Sequence, residues 1–319
     1  MPIYIGAAAP PPPPPIRPGR ARRTGKRVLW TSPTGDTLDL TGGEGYTSLP
    51  GREGFAGLPD RNLVYTELPA GGAELGDIVD QVRVLANPLS VRGATAEEYL
   101  ARFRRLQAAM RHPLRDGARV PGLLTVRMPD GSQRSIAAYY HGGLKVQEEP
   151  LDDLLVLYQQ FPNLEFLALD PYWEGGTAQD SWGSNTGSPW LGGSFPLLLS
   201  PSAVLGTVTT VLPGDADSWP VWTITGPGAP IVTNLTSGRS WQWRSDSPIP
   251  SGRTVTVDTR PTILSVVDDL GTDLYEDLDD YPDLWPLEPG ENQLQVEITD
   301  ATSASSAKYE AAIRWQGAW

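Results

Sequence analysis

The sequence predicts a mainly β protein in two domains, with strands and a single helix in the first and a β-sandwich or jelly roll in the second. Three observations predict it. Apolar runs of about five to eight residues recur between Gly, Pro and Asp turns, as short strands of antiparallel sheets do. Only one segment carries an apolar stripe at helical spacing. The two halves also differ in surface: residues 1–170 hold 19 Lys/Arg and 19 Asp/Glu, whereas residues 171–319 hold 6 and 19, so the second half bears the whole formal charge of −13. A chain of 319 residues is long enough to bury two cores. The expected division is an arm at 1–27, a first domain at 28–173 and a second at 174–319.

Pro10 to Pro15 are expected to form a short polyproline II rod, followed by a basic arm of Arg17, Arg20, Arg22, Arg23, Lys26 and Arg27. Val28 to Leu40 reads as two strands around the turn Ser32-Pro33-Thr34-Gly35-Asp36. Gly42 to Leu58 is Gly-rich and irregular, and Val64 to Leu68 and Asp77 to Leu85 alternate like half-buried strands. Thr95, with Glu98 three residues on, is a capping box. It opens a helix whose stripe of Leu100, Phe103, Leu106 and Met110 opposes Arg102, Arg104, Arg105 and Arg111, and which stops at His112-Pro113. Gly122 to Met128 and Ser135 to Tyr140 pair across Pro129-Asp130-Gly131-Ser132, a hairpin signal. Leu144 to Val146 and two strands within Leu154 to Leu169 complete the first domain.

The run Phe166 to Leu169 stops at Asp170-Pro171 and is followed by Tyr172 and Trp173. Pro171 cannot donate to a sheet ladder and pushes Asp170 out of the helical region. Asp170, Pro171, Tyr172 and Trp173 therefore read as the domain junction, with two aromatic anchors fixing its angle. Beyond it, strands are expected at Phe195–Leu199, Val204–Leu212, Val221–Thr225, Ile231–Leu235, Ser240–Arg244, Thr254–Asp258, Ile263–Val267, Gln293–Thr299 and Ala311–Trp315.

Most chemistries lack their residues. Cysteine is absent, and His112 and His141 are the only imidazoles, neither in a metal-ligand spacing. No Gly-x-Ser-x-Gly elbow occurs, and no carboxylate pair stands out for glycoside hydrolysis. Asp268 to Glu291 holds ten acids and no base but lacks the alternation and central glycine of a calcium loop. No run reaches the length of a membrane span, and an acidic second half disfavours nucleic acid. No enzyme activity and no cofactor are expected. Ten of the eleven tryptophans lie at or after Trp173. Trp241 and Trp243 share a strand face and read as core. Trp182 and Trp190 sit in a Gly/Ser-rich stretch and read as contacts for a ligand or partner.

Five motifs follow one another over residues 54–292: Gly54-Phe55-Ala56-Gly57-Leu58, Thr95-Ala96-Glu97-Glu98-Tyr99-Leu100, Pro129-Asp130-Gly131-Ser132-Gln133-Arg134, Asp170-Pro171-Tyr172-Trp173 and Leu287-Glu288-Pro289-Gly290-Glu291-Asn292. In this order they resemble the distal tail proteins, or minor tail proteins, of siphovirus-type bacteriophages. The resemblance implies a first domain related to the tail-tube fold, closing into a hexameric ring at the distal end of the virion's tail, and a galectin-like second domain outside it. It implies a structural component, assembled in the host cytoplasm, with the tail tube on one side and the tail-associated lysin or a tip or baseplate protein on the other. The proline tract and basic arm depart from the family pattern, and the second domain has no histidine, so the sugar-binding histidine of galectins is missing. The alternative is a host cell-wall carbohydrate-binding module acting through Trp182 and Trp190.

Overall fold

The computed structural model describes residues 25–146, 157–183 and 203–319. The expected polyproline rod, most of the basic arm, the strand expected at 195–199 and Trp190 lie outside the described residues.

The chain opens with β1 (Arg27–Thr31) and β2 (Thr37–Asp39) around the expected turn, where Ser32 N donates to Asp36 O at 2.8 Å. A short β3 (Tyr46–Ser48) crosses the irregular Gly-rich stretch, and β4 (Arg61–Glu67) and β5 (Ala73–Asp80) form a hairpin. Next come β6 (Arg83–Ala86), β7 (Leu89–Arg92) and the helix α1 (Ala96–Ala109). Thr95 caps α1 by accepting from Glu98 N at 3.2 Å, while Glu98 Oε2 accepts from Ala94 N at 2.6 Å. At the other end of α1, Trp30 donates its indole N–H to Ala109 O at 2.9 Å, satisfying a carbonyl that the helix leaves open. A small ribbon of β8 (Leu114–Arg115) and β9 (Ala118–Arg119) leads to β10 (Gly122–Arg127) and β11 (Gln133–Gly142). Their turn needs Gly131, whose φ of 91° is left-handed, and Asp130 Oδ1 accepts from Ser132 N at 2.9 Å. Leu144 to Val146, expected as a strand, lies outside any ladder. After β12 (Tyr158–Phe161) and β13 (Glu165–Ala168), Asp170-Pro171 ends the run as the proline requires.

These elements bury one core. Tyr99, Phe103 and Leu106 of α1 pack with Trp30, Leu124, Val126, Phe161 and Phe166, and the Phe103 and Phe161 rings stack at 5.6 Å. The helix presents Tyr99, Phe103, Leu106 and Ala109 inward, with Leu100 at the margin of the stripe. Two of its arginines are tied to the chain itself, while Arg104 is exposed. Arg105 forks onto Asp36 at 2.7 and 2.9 Å, and Arg102 pairs with Glu98.

The second core fills a sandwich. The strands are β14 (Trp173–Gly183), β15 (Ala203–Leu212), β16 (Val221–Thr225), β17 (Ala229–Asn234), β18 (Arg239–Gln242), β19 (Thr254–Asp258) and β20 (Ser265–Asp268), with a 3-10 turn at Tyr275–Asp277, then β21 (Gly290–Thr299) and β22 (Ser306–Trp315). The order β14-β22-β16-β19-β20 forms one layer, and β15-β21-β17-β18 forms the other. Trp222 sits at the centre, with Tyr309 at 5.3 Å, Trp182 at 5.8 Å, and Trp241 and Trp285 edge-on at 6.1 and 6.2 Å. Trp241 and Trp243 are core, as their shared face predicts. In the Leu287–Asn292 motif, the Asn292 side chain donates to Glu288 O at 2.7 Å, which closes the turn before β21.

One ladder runs through both halves. β14 pairs with β22 from Trp173 opposite Trp315 to Gly183 opposite Ser306, with one extra residue between Glu174 and Thr177. Ser135 pairs with Glu174, so the β14-β22-β16-β19-β20 layer of the sandwich continues the sheet β2-β1-β10-β11. The last residues return with β22 to the first core, where Ala318 is buried and Trp315 packs. Arg83, itself buried, holds this return by donating to Gln316 O at 2.6 Å and Gly54 O at 3.0 Å.

Candidate functional site

The β4–β5 hairpin is the part of the described chain with the most unused apolar surface. Leu63 faces Ile78 across the ribbon and Tyr65 faces Leu75. A shift of register between Val64 and Tyr65 leaves Gly76 without a partner. Strict alternation would put Leu75 and Ile78 on opposite faces, and this bulge puts both beside Leu63 and Tyr65. The result is one apolar face of four side chains, with exposures of 54% for Leu63, 60% for Tyr65, 55% for Leu75 and 46% for Ile78. A two-stranded ribbon on its own is only marginally stable in water. An exposed apolar face of this kind marks an interaction site.

The expectation of half-buried strands at Val64–Leu68 and Asp77–Leu85 is corrected for the hairpin, while β6 does alternate, with Arg83 and Leu85 buried and Val84 exposed. Every residue of β4 is exposed, and β5 is exposed up to Asp80. Leu63, Tyr65, Leu75 and Ile78 share one face and the smaller Val64 and Val79 lie on the other, and within one copy of the chain nothing covers the larger set.

The hairpin is anchored at its base. Arg61 donates to Asp80 at 2.8 Å, and Gln81 N donates to Asp60 O at 2.7 Å. The Tyr172 hydroxyl also donates to Asp80. Burial, together with this carboxylate partner, pushes the Tyr172 phenol up to about 12, so it stays a donor across the ordinary pH range. Over the Tyr172 ring lies the Arg314 guanidinium, 4.3 Å from the centroid. Arg314 in turn donates to Asp170 Oδ2 at 2.5 Å and to Asp217 O at 3.1 Å. Asp80, Tyr172, Arg314 and Asp170 thus connect the hairpin to β22.

Of the four expected junction residues, the structure brings Asp170 and Tyr172 into this chain of contacts. Pro171 ends the preceding run. Trp173 goes elsewhere: it is fully buried in the first core, 5.7 Å from Phe55, with no partner for its indole N–H among the described residues. It is a core residue at the start of a continuous ladder, and the bulge at Gly175-Gly176, rather than a flexible link, sets the course of β14. Gly176 adopts a φ of 85°, and a side chain at Gly175 would meet Gln133 O at 2.9 Å, so both positions call for glycine.

Trp182 requires a correction. It was expected in a loop facing a partner, but β14 extends through it and it is buried in the second core against Trp222 and Tyr309. It stands nine positions after Trp173, an odd step that strict alternation would place on opposite faces. The bulge restores the match. Two features escaped the sequence: the bonds of Tyr172 to Asp80, 92 residues away, and of Arg314 to Asp170, 144 residues away. The hairpin's own apolar pairing was visible as Leu63-x-Tyr65 and Leu75-x-x-Ile78 on either side of Pro69-Ala70-Gly71-Gly72.

Among the described residues no group of three or more His, Cys, Asp or Glu is placed to hold a metal ion, and no helix is long and apolar enough to cross a membrane. The arrangement offers binding surface and mechanical connection.

No protein-family model matches the chain, and no curated protein matches it. Among solved structures it is similar to the Dit (gp 19.1) protein of SPP1, described as a paradigm of hub adsorption apparatus in Gram-positive infecting phages. The identity is 13% and the TM-score 0.59, over 89% of this chain and 98% of that one. A chain of the phage P2 baseplate in its activated conformation with Ca matches at 9% identity and a TM-score of 0.45, over 89% and 97%. At this identity the likeness to the SPP1 protein is one of fold.

Proposed function

We propose that the chain is a structural subunit of a phage tail tip, closing into a six-membered ring through the β4–β5 hairpin. The observation that carries the reading is the uncovered face of Leu63, Tyr65, Leu75 and Ile78 on a ribbon anchored only at its base. A neighbouring copy is a natural cover. A closed ring gives every hairpin the same seat and leaves no terminal copy with an open one. The fold likeness to a hub protein supports the place of this ring at the distal end of the tail, between the tail tube and the tail-associated lysin or a tip or baseplate protein. In this reading residues 28–173 form the ring and residues 174–319, galectin-like, lie outside it with the acidic surface that keeps a large assembly soluble. The role is structural and needs no catalytic step or cofactor.

The test is the solution mass of the full chain against a variant in which residues 61–80 are replaced by a short turn. The full chain should run at six times the 34.5 kDa of one copy and the variant at one copy with its melting temperature kept. A full chain that stays monomeric in isolation and inside intact tails would remove the proposal.

A further inference from the structure

The second sandwich carries a cavity of about 680 Å³ beside β18, lined among others by Ile231, Gln242, Arg244, Asp246, Asp279 and Asp280. Its two walls are held together by backbone. Arg244 N donates to Asp277 O at 2.9 Å, and Asp279 N donates to Gln242 O at 3.0 Å. Side chains repeat the link: the Gln242 amide donates to Asp279, and Arg244 donates to Asp280 at 2.7 Å. The cavity is therefore preorganised, while each carboxylate and the guanidinium keep hydrogen-bonding positions unused. Ile231, opposite Gln242 in the register, adds an apolar patch.

One residue past the lining Asp280 stands Tyr281, 98% exposed, with a φ of 60°. That left-handed conformation is uncommon for an aromatic residue, and it leaves the ring in solvent. Planar amide and guanidinium donors alternate here with carboxylate acceptors, and the residue next in the chain holds its aromatic ring free in solvent. Neighbouring hydroxyl groups, which both donate and accept, complement such a set. The charges narrow the choice. The named lining groups hold one cation against three carboxylates, which repels polyanions. They form no metal cluster.

We propose that this cavity binds a neutral saccharide of a cell surface, with Tyr281 as the stacking face and Gln242, Arg244, Asp279 and Asp280 as the hydroxyl partners. The site goes beyond the ring reading and moves glycan recognition away from Trp182. It holds or fails separately from the ring, because none of its residues lies on the hairpin.

The test is saturation-transfer NMR on the full chain with glucose, galactose, rhamnose, N-acetylglucosamine and their short oligomers, and with a glycerol phosphate polymer as the anionic control. At least one neutral sugar should give transfer. Tyr281→Asn, which removes the ring but tolerates the backbone, and Gln242→Ala should each weaken its titrated affinity by about fivefold or more, roughly 1 kcal/mol. Melting temperature and oligomeric mass, recorded on the same samples, should not change. The proposal is overturned if no neutral sugar gives transfer, if only the polymer does, or if a sugar binds with the same affinity to both variants.

Discussion

Leu63→Thr combined with Ile78→Thr should dissociate the proposed ring while leaving each copy folded. The two residues face each other on β4 and β5 and are about half exposed in a single copy. Each change removes two apolar carbons and keeps a strand-forming side chain. At about 0.8 kcal/mol per buried CH₂, half of that burial still to come, the lost transfer is about 0.8 kcal/mol per residue. The hydroxyl, buried without a partner, adds about 1 kcal/mol. The pair therefore weakens each interface by about 4 kcal/mol, or about three orders of magnitude in its association constant. Within one copy both positions are surface, where substitutions stay within about 0.5 kcal/mol. Mass photometry across a dilution series reads the association, and a thermal melt of the dilute monomer reads the fold. An assembly of unchanged mass at the same dilution would refute the reasoning about the hairpin. A melt lowered by several degrees would refute the claim that this face is spare surface.

Trp173→Ala and Trp182→Ala should each destabilise the fold by about 3–5 kcal/mol, as large-to-small changes in a packed core do; chemical denaturation measures this, and a change below about 1 kcal/mol would contradict their burial. Tyr172→Phe removes only the hydroxyl that reaches Asp80, so amide exchange in residues 61–80 should speed up while the protection of α1 and β10 is kept. Asp36 is held below the usual carboxylate range, chiefly by hydrogen bonds from Arg105. Its contribution is therefore complete above the unfolded value of about 3.9 and is lost as pH falls through the folded one. Melts at pH 5 and pH 3 should show a smaller acid-induced loss in Asp36→Asn than in the parent chain.

Much of the fold was legible because local chemistry and tertiary structure agree. The β16 and β19 runs, the turn at Asp130-Gly131, the Thr95 cap and the stop at Asp170-Pro171 each follow from residues that sit close together in sequence. The reading failed where distant partners decide. Trp173-Glu174-Gly175-Gly176-Thr177 through Gly183 has the composition of a loop, yet β22 supplies a ladder that turns it into a strand and buries Trp182. Alternation over Val64–Leu68 and Asp77–Leu85 reads as half-burial, which β6 shows and the β4–β5 hairpin does not. The pattern records where apolar residues recur and not what covers them. The contacts of Tyr172 with Asp80 and of Asp170 with Arg314 likewise join segments that no local pattern connects.

Electron microscopy of purified assemblies and of intact tails tests the central claim most directly. The account predicts a six-fold ring in which each β4–β5 hairpin lies on the next copy with Leu63, Tyr65, Leu75 and Ile78 covered. A monomer in the tail, or a ring whose hairpins project into solvent, would contradict it.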